Sequence, residues 1–245
     1  MLSVVIPTYN RNQNLDNCLK SITNCSKNCE ILVPHPEIDK ELSEICIKYG
    51  ALEYLDGSRK NGKRIRSIWG VINDGIQKAS NNYVAWINDD CLVLPNWDEI
   101  GESYFIDSVG LVIFKTKGIN MSQEYRTIEA AFGIPCANYA ILNKKIGVRF
   151  DESYSWFYGD ADISLQVALK KKLSVIATKE NCIDHLHCVD TERKKNETDP
   201  RIKSDELYFR KKWRTYTRIG TNIINLHIPI LARMAKKISR MFNEK

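Results

Sequence analysis

The sequence predicts an α/β protein built on a mostly parallel central sheet with helices on both faces. In the first 90 residues, short apolar runs alternate with segments whose apolar residues recur every three or four positions. Strands that are joined by helices run parallel, and a parallel sheet needs cover on both faces. With 245 residues, 43% of them hydrophobic, the chain is long enough to bury such a core.

The first half supplies four strands and three helices. Each expected strand is an apolar run that a polar turn ends, and each expected helix carries an apolar stripe. The first run stops at Pro7, and Gly50 ends the second helix. In chain order the elements are strand 2–7, helix 10–22, strand 30–33, helix 37–50, strand 51–55, helix 65–76 and strand 82–87.

The second half is less regular. The helix expected at 160–172 opens with acidic residues, which suit the positive end of a helix dipole. We expect one domain over residues 1–215, because neither a repeat nor a low-complexity linker divides it. Its further elements are strands 108–115, 136–142 and 173–178 and a helix at 205–216.

The positive charge is concentrated at the end of the chain. The net charge is +6, but residues 193–245 hold 15 Lys or Arg against 5 Asp or Glu. Within 219–245 the apolar residues form one stripe, which Pro229 breaks into two helices. We expect a basic amphipathic helical tail over 216–245. The tail either packs on the domain or lies on an anionic membrane surface, and nothing suggests nucleic acid as a partner.

Composition also bounds the location and the cysteine chemistry. The apolar runs are too short to span a bilayer and the start lacks a secretion signal, so we expect a cytoplasmic protein. The eight cysteines are then free thiols. One cluster, Cys182, His185, His187 and Cys188, could form a zinc site, although a second cysteine pair at finger spacing is absent.

The segment WINDDCLVLPNW, residues 86–97, places Asp89 and Asp90 side by side after an apolar strand. Two carboxylates ~4 Å apart repel by about 4 kcal/mol at an effective dielectric of 20. The pair therefore needs a counter-charge or full exposure. Ligands of open α/β sheets bind at the carboxyl ends of the strands, which favours a site here over a solvated turn.

Five segments in order resemble the family 2 glycosyltransferases, which have the Rossmann-like GT-A fold. The resemblance covers about residues 1–215. It rests on VVIPTYNR (4–11), NDGIQKASNNYVAWINDD (73–90), LPNW (94–97), FDESYSWFYGDADISLQVAL (150–169) and the late histidine of IDHLH. It implies a nucleotide-sugar-binding half at 1–100 and an acceptor half at 101–215.

The resemblance implies inverting transfer of a sugar from a nucleoside-diphosphate sugar to a hydroxyl acceptor, with Mn²⁺ or Mg²⁺ as cofactor. Asn88-Asp89-Asp90 stands where the family has Asp-x-Asp. By this match Asp90 binds the metal and Asp89 contacts the ribose or the metal shell. His185, or alternatively His187, supplies a further ligand. The expected counter-charge of the acidic pair is thus the cation.

The same match assigns the catalytic base and the donor contacts. Asp160 aligns with the family's catalytic Asp, so we expect it to deprotonate the acceptor. Asp162 is the second candidate for the base, or else a helix cap. Gly159 stands where the family has Glu, which puts an acceptor contact in doubt. Trp156 and Asp162 are expected on the acceptor side, and Pro7, Tyr9, Arg11, Arg66, Asn73 and Asp89 on the donor.

Two parts of the donor site remain open. The family usually has Asp-Asp-Gly-Ser after the second strand, where the first Asp reads uracil, but here PHPEID (34–39) follows. Glu37, Asp39 or Asp56 could take that role. Alternatively backbone groups read the base, or the donor is not a uridine nucleotide; a UDP-sugar remains the default donor. In the basic run RKNGKRIR (59–66), Arg59, Lys63, Arg64 or Arg66 could hold the diphosphate.

The expected activity is synthesis of a polysaccharide or lipid-linked glycan, at the inner face of the cell membrane if the tail binds lipid. The alternative is a catalytically silent relative that binds a nucleotide or serves as a scaffold. The retained Asp89, Asp90 and Asp160 argue against that alternative. A nucleotidyltransferase is disfavoured because a Gly-rich phosphate loop near the first strand is lacking.

Overall fold

The computed structural model describes residues 1–117, 136–186 and 201–213. They form an eight-stranded sheet with helices on both faces, together with a separate two-stranded hairpin. The strands are β1 (Leu2–Val5), β2 (Cys29–His35), β3 (Leu52–Leu55), β4 (Arg59–Lys60), β5 (Lys63–Arg64), β6 (Tyr83–Trp86), β7 (Cys91–Val93), β8 (Val109–Thr116), β9 (Ala140–Asn143) and β10 (Ser174–His185). The helices are α1 (Asn12–Cys25), α2 (Lys40–Tyr49), α3 (Ile68–Lys78), α4 (Trp97–Ser103), α5 (Gly159–Leu165) and α6 (Arg201–Lys212).

The sheet has the strand order β3-β2-β1-β6-β9-β8-β10-β7. The four strands from the first half pair in parallel, as the sequence predicts. Strand β9 is antiparallel to both of its neighbours, and β10 runs parallel to β8. The carboxyl ends of β1, β2, β3, β6 and β10 therefore meet at one edge, and the sheet as a whole is mixed.

Two buried clusters lie on opposite faces of the sheet. Alternate strand residues point to opposite faces, so Val4 packs with α1, α2 and α4, whereas Val5 packs with α3, α5 and α6. The stripe predicted for the first helix is confirmed, since Leu15, Leu19 and Ile22 are fully buried on α1. Each such side chain stabilises the fold by about 1.5–3 kcal/mol.

Several boundaries differ from the sequence prediction. Helix α3 begins at Ile68 rather than Ile65, because the preceding residues form the β4–β5 hairpin and Ser67 caps the helix at Gly70 N. Strand β10 runs on to His185, past the predicted end at 178, because its last residues pair with β7. Strand β7 and helix α4 were missed, since three and seven residues are too short for a periodic signal.

The predicted helix 160–172 is α-helical only over α5, and a π-helical turn follows at Gln166–Lys170. The seven cysteines within the described residues are free, as expected. In the same ranges, no helix is both long and apolar enough to cross a bilayer. The predicted tail, 216–245, lies outside the described residues.

Candidate active site

A pocket of about 370 Å³ opens where the carboxyl ends of the parallel strands meet. This volume suits a small-molecule ligand. The residues that line it come from the segments after β1, β2, β3 and β6, the β4–β5 hairpin, helix α3, the loop before α5 and the end of β10. Seven predicted site residues are among them: Pro7, Tyr9, Arg11, Asp89, Asp90, Trp156 and His185.

Asp89 is buried and held by two donors. Arg11 Nη1 donates to Asp89 Oδ1 at 2.8 Å, and Thr8 Oγ1 donates to Oδ2 at 2.8 Å. Burial raises the pKa of Asp89 to about 6, although Arg11 and Thr8 oppose the shift. Arg11, expected only as a donor contact, is thus also a permanent counter-charge for the acidic pair.

Asp90 lies between two cationic or potentially cationic side chains. His185 Nε2 is 3.2 Å from Asp90 Oδ1, and Arg11 Nη1 is 3.5 Å from Oδ2. Burial alone would raise the pKa of Asp90, but the contacts with His185 and Arg11 hold the pKa below its usual range. Oδ1 is buried without a hydrogen bond of acceptable geometry. A buried carboxylate oxygen in this environment is well placed to act as a metal ligand.

His185 is oriented by a second contact. Its Nδ1 lies 3.1 Å from the Tyr139 hydroxyl, while Asn88 Nδ2 donates to the same hydroxyl at 3.4 Å. A partner on one ring nitrogen fixes the ring and directs the other nitrogen to the metal, as in many metal sites. Nε2 therefore faces Asp90 in the position that a metal ligand would take.

Cys91 completes a group of three potential ligands. Its thiol and ligand atoms of Asp90 and His185 lie within 4.8 Å of one another. Burial raises the pKa of the Cys91 thiol, which favours its protonated form while no cation is bound. The zinc alternative gains no support: Cys182 Sγ contacts Thr178 Oγ1 at 3.6 Å, and 187–188 lie outside the described residues.

The β4–β5 hairpin places two arginines on aromatic walls of the pocket. The Arg59 guanidinium stacks 3.6 Å from the Tyr9 ring centre, and the Arg64 guanidinium stacks 3.8 Å from that of Trp156. Such stacking holds a guanidinium in place, and Arg59 Nη1 also donates to Gly62 O at 3.0 Å. Both arginines line the pocket.

Two predicted donor contacts lie elsewhere. Arg66 pairs with Asp74 through Nη2–Oδ1 at 3.0 Å and with Glu152 at 3.4 Å, and it is not among the described residues that line the pocket. Buried Asn73 exchanges two hydrogen bonds with the Phe150 backbone, at 2.9 and 3.0 Å. These two side chains tie α3 to the segment before α5.

Of the three candidates for reading the base, only Asp56 lines the pocket. Its Oδ1 accepts from Ser58 N at 2.6 Å, and the side chain is buried. Asp39 instead caps α2 by accepting from Leu42 N, and Glu37 is exposed. An acidic side chain thus faces the pocket from the end of β3 rather than that of β2.

The acidic residues of α5 occupy different environments. Asp160 is partly exposed, and desolvation by the surrounding protein raises its pKa. It follows Trp156 and Phe157 of the pocket but is not itself among the described lining residues. Asp162 is fully buried and accepts from Trp213 Nε1 at 2.8 Å and Tyr154 OH at 3.2 Å.

The packing around position 159 explains why this chain has glycine there. A Cβ at this position would lie 2.3 Å from Trp69 Cε2, and the Trp69 ring is itself stacked on Phe150. The indole fills the space in which a larger side chain at position 159 would begin. The Glu that the resemblance led us to look for has no room here.

Sequence reasoning missed Thr8, Tyr139 and Phe157. Thr8 lies inside the quoted segment VVIPTYNR and Tyr139 inside the predicted strand 136–142, so their positions were noted without a role. A polar ring in an apolar strand was a usable signal for Tyr139. Phe157 carried none, since an aromatic residue near a helix usually belongs to the core.

The fold resembles several solved glycosyltransferases. The mannosyltransferase PcManGT from Pyrobaculum calidifontis, in complex with GDP-Man and Mn²⁺, superposes with a TM-score of 0.60 at 14% identity, covering 97% of this chain and 79% of that one. Glucosyl-3-phosphoglycerate synthase from Mycobacterium tuberculosis, with Mn²⁺, UDP and phosphoglyceric acid, gives 0.61 at 14% identity, covering 79% and 73%. S. aureus TarS 1–349 with UDP-GlcNAc gives 0.57 at 14% identity, covering 75% and 57%.

These identities establish the fold alone, and the chain spans less than two thirds of the TarS structures. No curated protein sequence matched the chain. The family model described as "Glycosyl transferase family 2" matches residues 3–157, which is more than half of the chain and includes Arg11, Asp89 and Asp90. By this match the chain belongs to glycosyl transferase family 2.

Proposed function

We propose that this protein is an inverting, metal-dependent glycosyltransferase. It moves a sugar from a nucleoside-diphosphate sugar, by default a UDP-sugar, to a hydroxyl of a glycan or lipid-linked acceptor in polysaccharide biosynthesis. The observation that carries the proposal is the convergence of Asp90 and His185, 3.2 Å apart, beside an arginine-lined pocket. An oxygen and an imidazole ligand next to cationic anchors suit a metal-bound diphosphate.

Asp90 Oδ1 and His185 Nε2 would hold the cation, Mn²⁺ or Mg²⁺. When bound, it supplies positive charge against the diphosphate leaving group. Arg11 shields the neighbouring Asp89, so the buried pair tolerates the ion-free state as well. Mn²⁺ is present in the structures of the mannosyltransferase and the glucosyl-3-phosphoglycerate synthase, which supports this choice of metal.

We assign the other lining residues to different parts of the nucleotide-sugar donor. Arg59 and Arg64 hold the diphosphate, and this replaces our expectation for Arg66, whose guanidinium is engaged by Asp74 and Glu152. Asp56 accepts a hydrogen bond from the base, since its carboxylate is buried against the pocket.

Asp89, Pro7 and Tyr9 also line the pocket, which supports their role as the remaining donor contacts. Trp156, on the loop before α5, is the acceptor-side wall. Asn73 has a structural role behind this wall, because its side-chain nitrogen and oxygen are both hydrogen-bonded to the Phe150 backbone.

Asp160 is the proposed catalytic base. A base must be deprotonated and yet able to take a proton, and desolvation raises the pKa of Asp160 towards that condition. It accepts the acceptor's proton as the hydroxyl attacks the anomeric carbon from the face opposite the diphosphate. Asp162 serves instead to anchor α6, since its Oδ1 pairs with Lys212 of that helix and already accepts from buried Tyr154 and Trp213.

The proposal is tested by calorimetric titration of the protein with UDP and with GDP, with and without Mn²⁺. We expect one of the two nucleotides to bind, and Mn²⁺ to strengthen its binding. Asp90→Asn should remove the effect of Mn²⁺ because it replaces an anionic carboxylate by a neutral amide, a much weaker ligand for a hard cation. The matched control is Asp107→Asn, which neutralises an exposed carboxylate on the loop before β8. An Asp90→Asn protein that retains Mn²⁺-dependent affinity contradicts the metal site.

A further inference from the structure

Asp205, on α6, is bonded to three consecutive backbone amides of the loop before α5. Its carboxylate oxygens accept from Ser155 N at 2.9 and 3.0 Å, from Trp156 N at 2.9 Å and from Phe157 N at 3.1 Å. The side chain is 2% exposed. Successive amides that converge on one anion form a backbone nest, which here is filled by a side chain of the protein itself.

These contacts are costly to remove. A buried carboxylate needs donors for its lone pairs, and hydrogen bonds to a charged acceptor are about twice as strong as neutral ones. The three amides in turn have Asp205 as their common acceptor, so the loop conformation depends on this one residue. The next residue along the loop, Tyr158, has φ +67°, in the left-handed region that residues other than glycine seldom adopt. The loop therefore needs tertiary contacts to keep this conformation.

The loop that Asp205 holds is a wall of the pocket. Trp156 and Phe157 both line it, and the Trp156 ring supports the Arg64 guanidinium at 3.8 Å. A chain of contacts therefore runs from α6 through Asp205 and the loop to a cationic side chain of the donor site.

Helix α6 has other attachments that do not touch this loop. Tyr208 OH donates to Asp151 Oδ2 at 2.9 Å, and Lys212 Nζ lies 2.7 Å from the same oxygen. Lys212 also pairs with buried Asp162 at 2.8 Å. Loss of Asp205 consequently leaves α6 anchored, while the loop loses its acceptor.

We propose that Asp205 is a positioning residue that sets the pocket wall formed by residues 155–157 and thereby the affinity for the nucleoside diphosphate. The nature of the ligand rests on the proposed function, whereas the hold on the loop does not. The substitution Asp205→Asn keeps the shape of the side chain but replaces one acceptor oxygen by an amide donor.

Hydrogen exchange measures the hold on the loop directly. In the full-length protein we expect the amides of 155–157 to be protected, and Asp205→Asn to speed their exchange by about tenfold or more. Tyr208→Phe is the matched control: it weakens the attachment of α6 by one hydrogen bond and should leave these amides protected. Equal exchange in both variants would overturn the proposal. Unprotected amides in the unaltered protein would do so as well, and that measurement needs no stable Asp205→Asn protein.

Titration with UDP and GDP in the presence of Mn²⁺, well below the unfolding temperature, measures the consequence. We expect Asp205→Asn to raise the Kd about tenfold for the nucleotide that the unaltered protein binds, and Tyr208→Phe to leave it unchanged. Faster exchange with an unchanged Kd would show that Asp205 stabilises the loop without affecting nucleotide binding, and would refute the positioning role. If the unaltered protein binds neither nucleotide, the proposed function fails, and the exchange experiment still decides the hold on the loop.

Discussion

At the scale of single residues, the site depends on how buried charges are balanced. Asp89 and Asp90 are both 4% exposed, which would be unfavourable for two adjacent carboxylates on their own. Arg11 faces both of them and His185 faces Asp90. The protein therefore carries one permanent counter-charge of its own, the Arg11 guanidinium, and the cation that the sequence led us to expect would add to it.

The two acidic residues of α5 should respond differently to loss of charge. We predict that Asp160→Asn leaves nucleotide affinity nearly intact and lowers turnover by about 10²-fold or more, the scale of a lost general base. Asp162→Asn should chiefly lower stability, because Lys212 and Trp213 lose a buried acceptor. Nucleotide-release rates and thermal melting measure the two effects. An active Asp160→Asn protein with an inactive but stable Asp162→Asn protein would exchange the two roles.

Gly159 should not tolerate even a methyl group. The added Cβ would meet the rigid Trp69 ring at 2.3 Å, and the ring cannot retreat because Phe150 stacks on it. We predict that Gly159→Ala lowers the free energy of unfolding by about 1–3 kcal/mol, the usual cost of overpacking. Denaturant unfolding measures this loss. Adding Trp69→Leu should make the Gly159→Ala change nearly neutral, and strict additivity of the two changes would refute the overlap.

At the scale of elements, the arginines of the basic run 59–66 have two different environments, one in the β4–β5 hairpin and the other just before helix α3. Strand β5 ends at Arg64, which faces the pocket, and Arg66 lies one residue before the cap of α3, where it meets acidic partners. A change of direction between neighbouring elements separates them. The sequence shows only a run of similar charges, so it could not assign the two roles.

This division predicts opposite phenotypes for two like substitutions. Arg64→Gln should raise the Kd for the bound nucleotide by about tenfold or more, because it removes the charged contact to the diphosphate that we propose for Arg64. Arg66→Gln should leave the Kd almost unchanged and lower the melting temperature, since Asp74 and Glu152 lose their partner. Titration and melting of both proteins under the same conditions give the comparison. Weaker binding in Arg66→Gln alone would restore Arg66 as the diphosphate contact.

At the scale of the whole molecule, the described fold reaches as far as α6 and Trp213. Trp213 is 2% exposed and donates to Asp162, so any shortened chain must keep it. The basic segment 219–245 lies outside the described residues, and its role as an anchor on lipid stays a prediction.

We predict that the full-length protein sediments with vesicles that contain anionic lipid, and that added salt weakens this steeply. Each basic residue near such a surface contributes about 1 kcal/mol, and the interaction is screened within a Debye length. A chain that ends after Arg218 should remain folded, bind its nucleotide and stay in the supernatant. Neutral vesicles serve as the control. Indifference of the full-length protein to anionic vesicles, or unfolding of the shortened chain, would place the tail on the domain instead.

The alternation of strands and helices, the parallel pairing in the first half of the sheet and the position of the Asp89–Asp90 pair could all be predicted from the amino-acid sequence. These features depend on local periodicity and on the rule that ligands meet the carboxyl ends of parallel strands. Motif order added the family, which the family model confirms.

Tertiary structure alone decided which polar residues face the pocket. Asp56, Arg64 and Tyr139 lie in it or beside it, whereas Arg66 and Asn73 are held behind its wall. Asp205 is 48 residues from Phe157 along the chain, yet the two are in contact. Such contacts depend on how elements that are distant in the sequence pack together, so residue spacing along the sequence does not predict them.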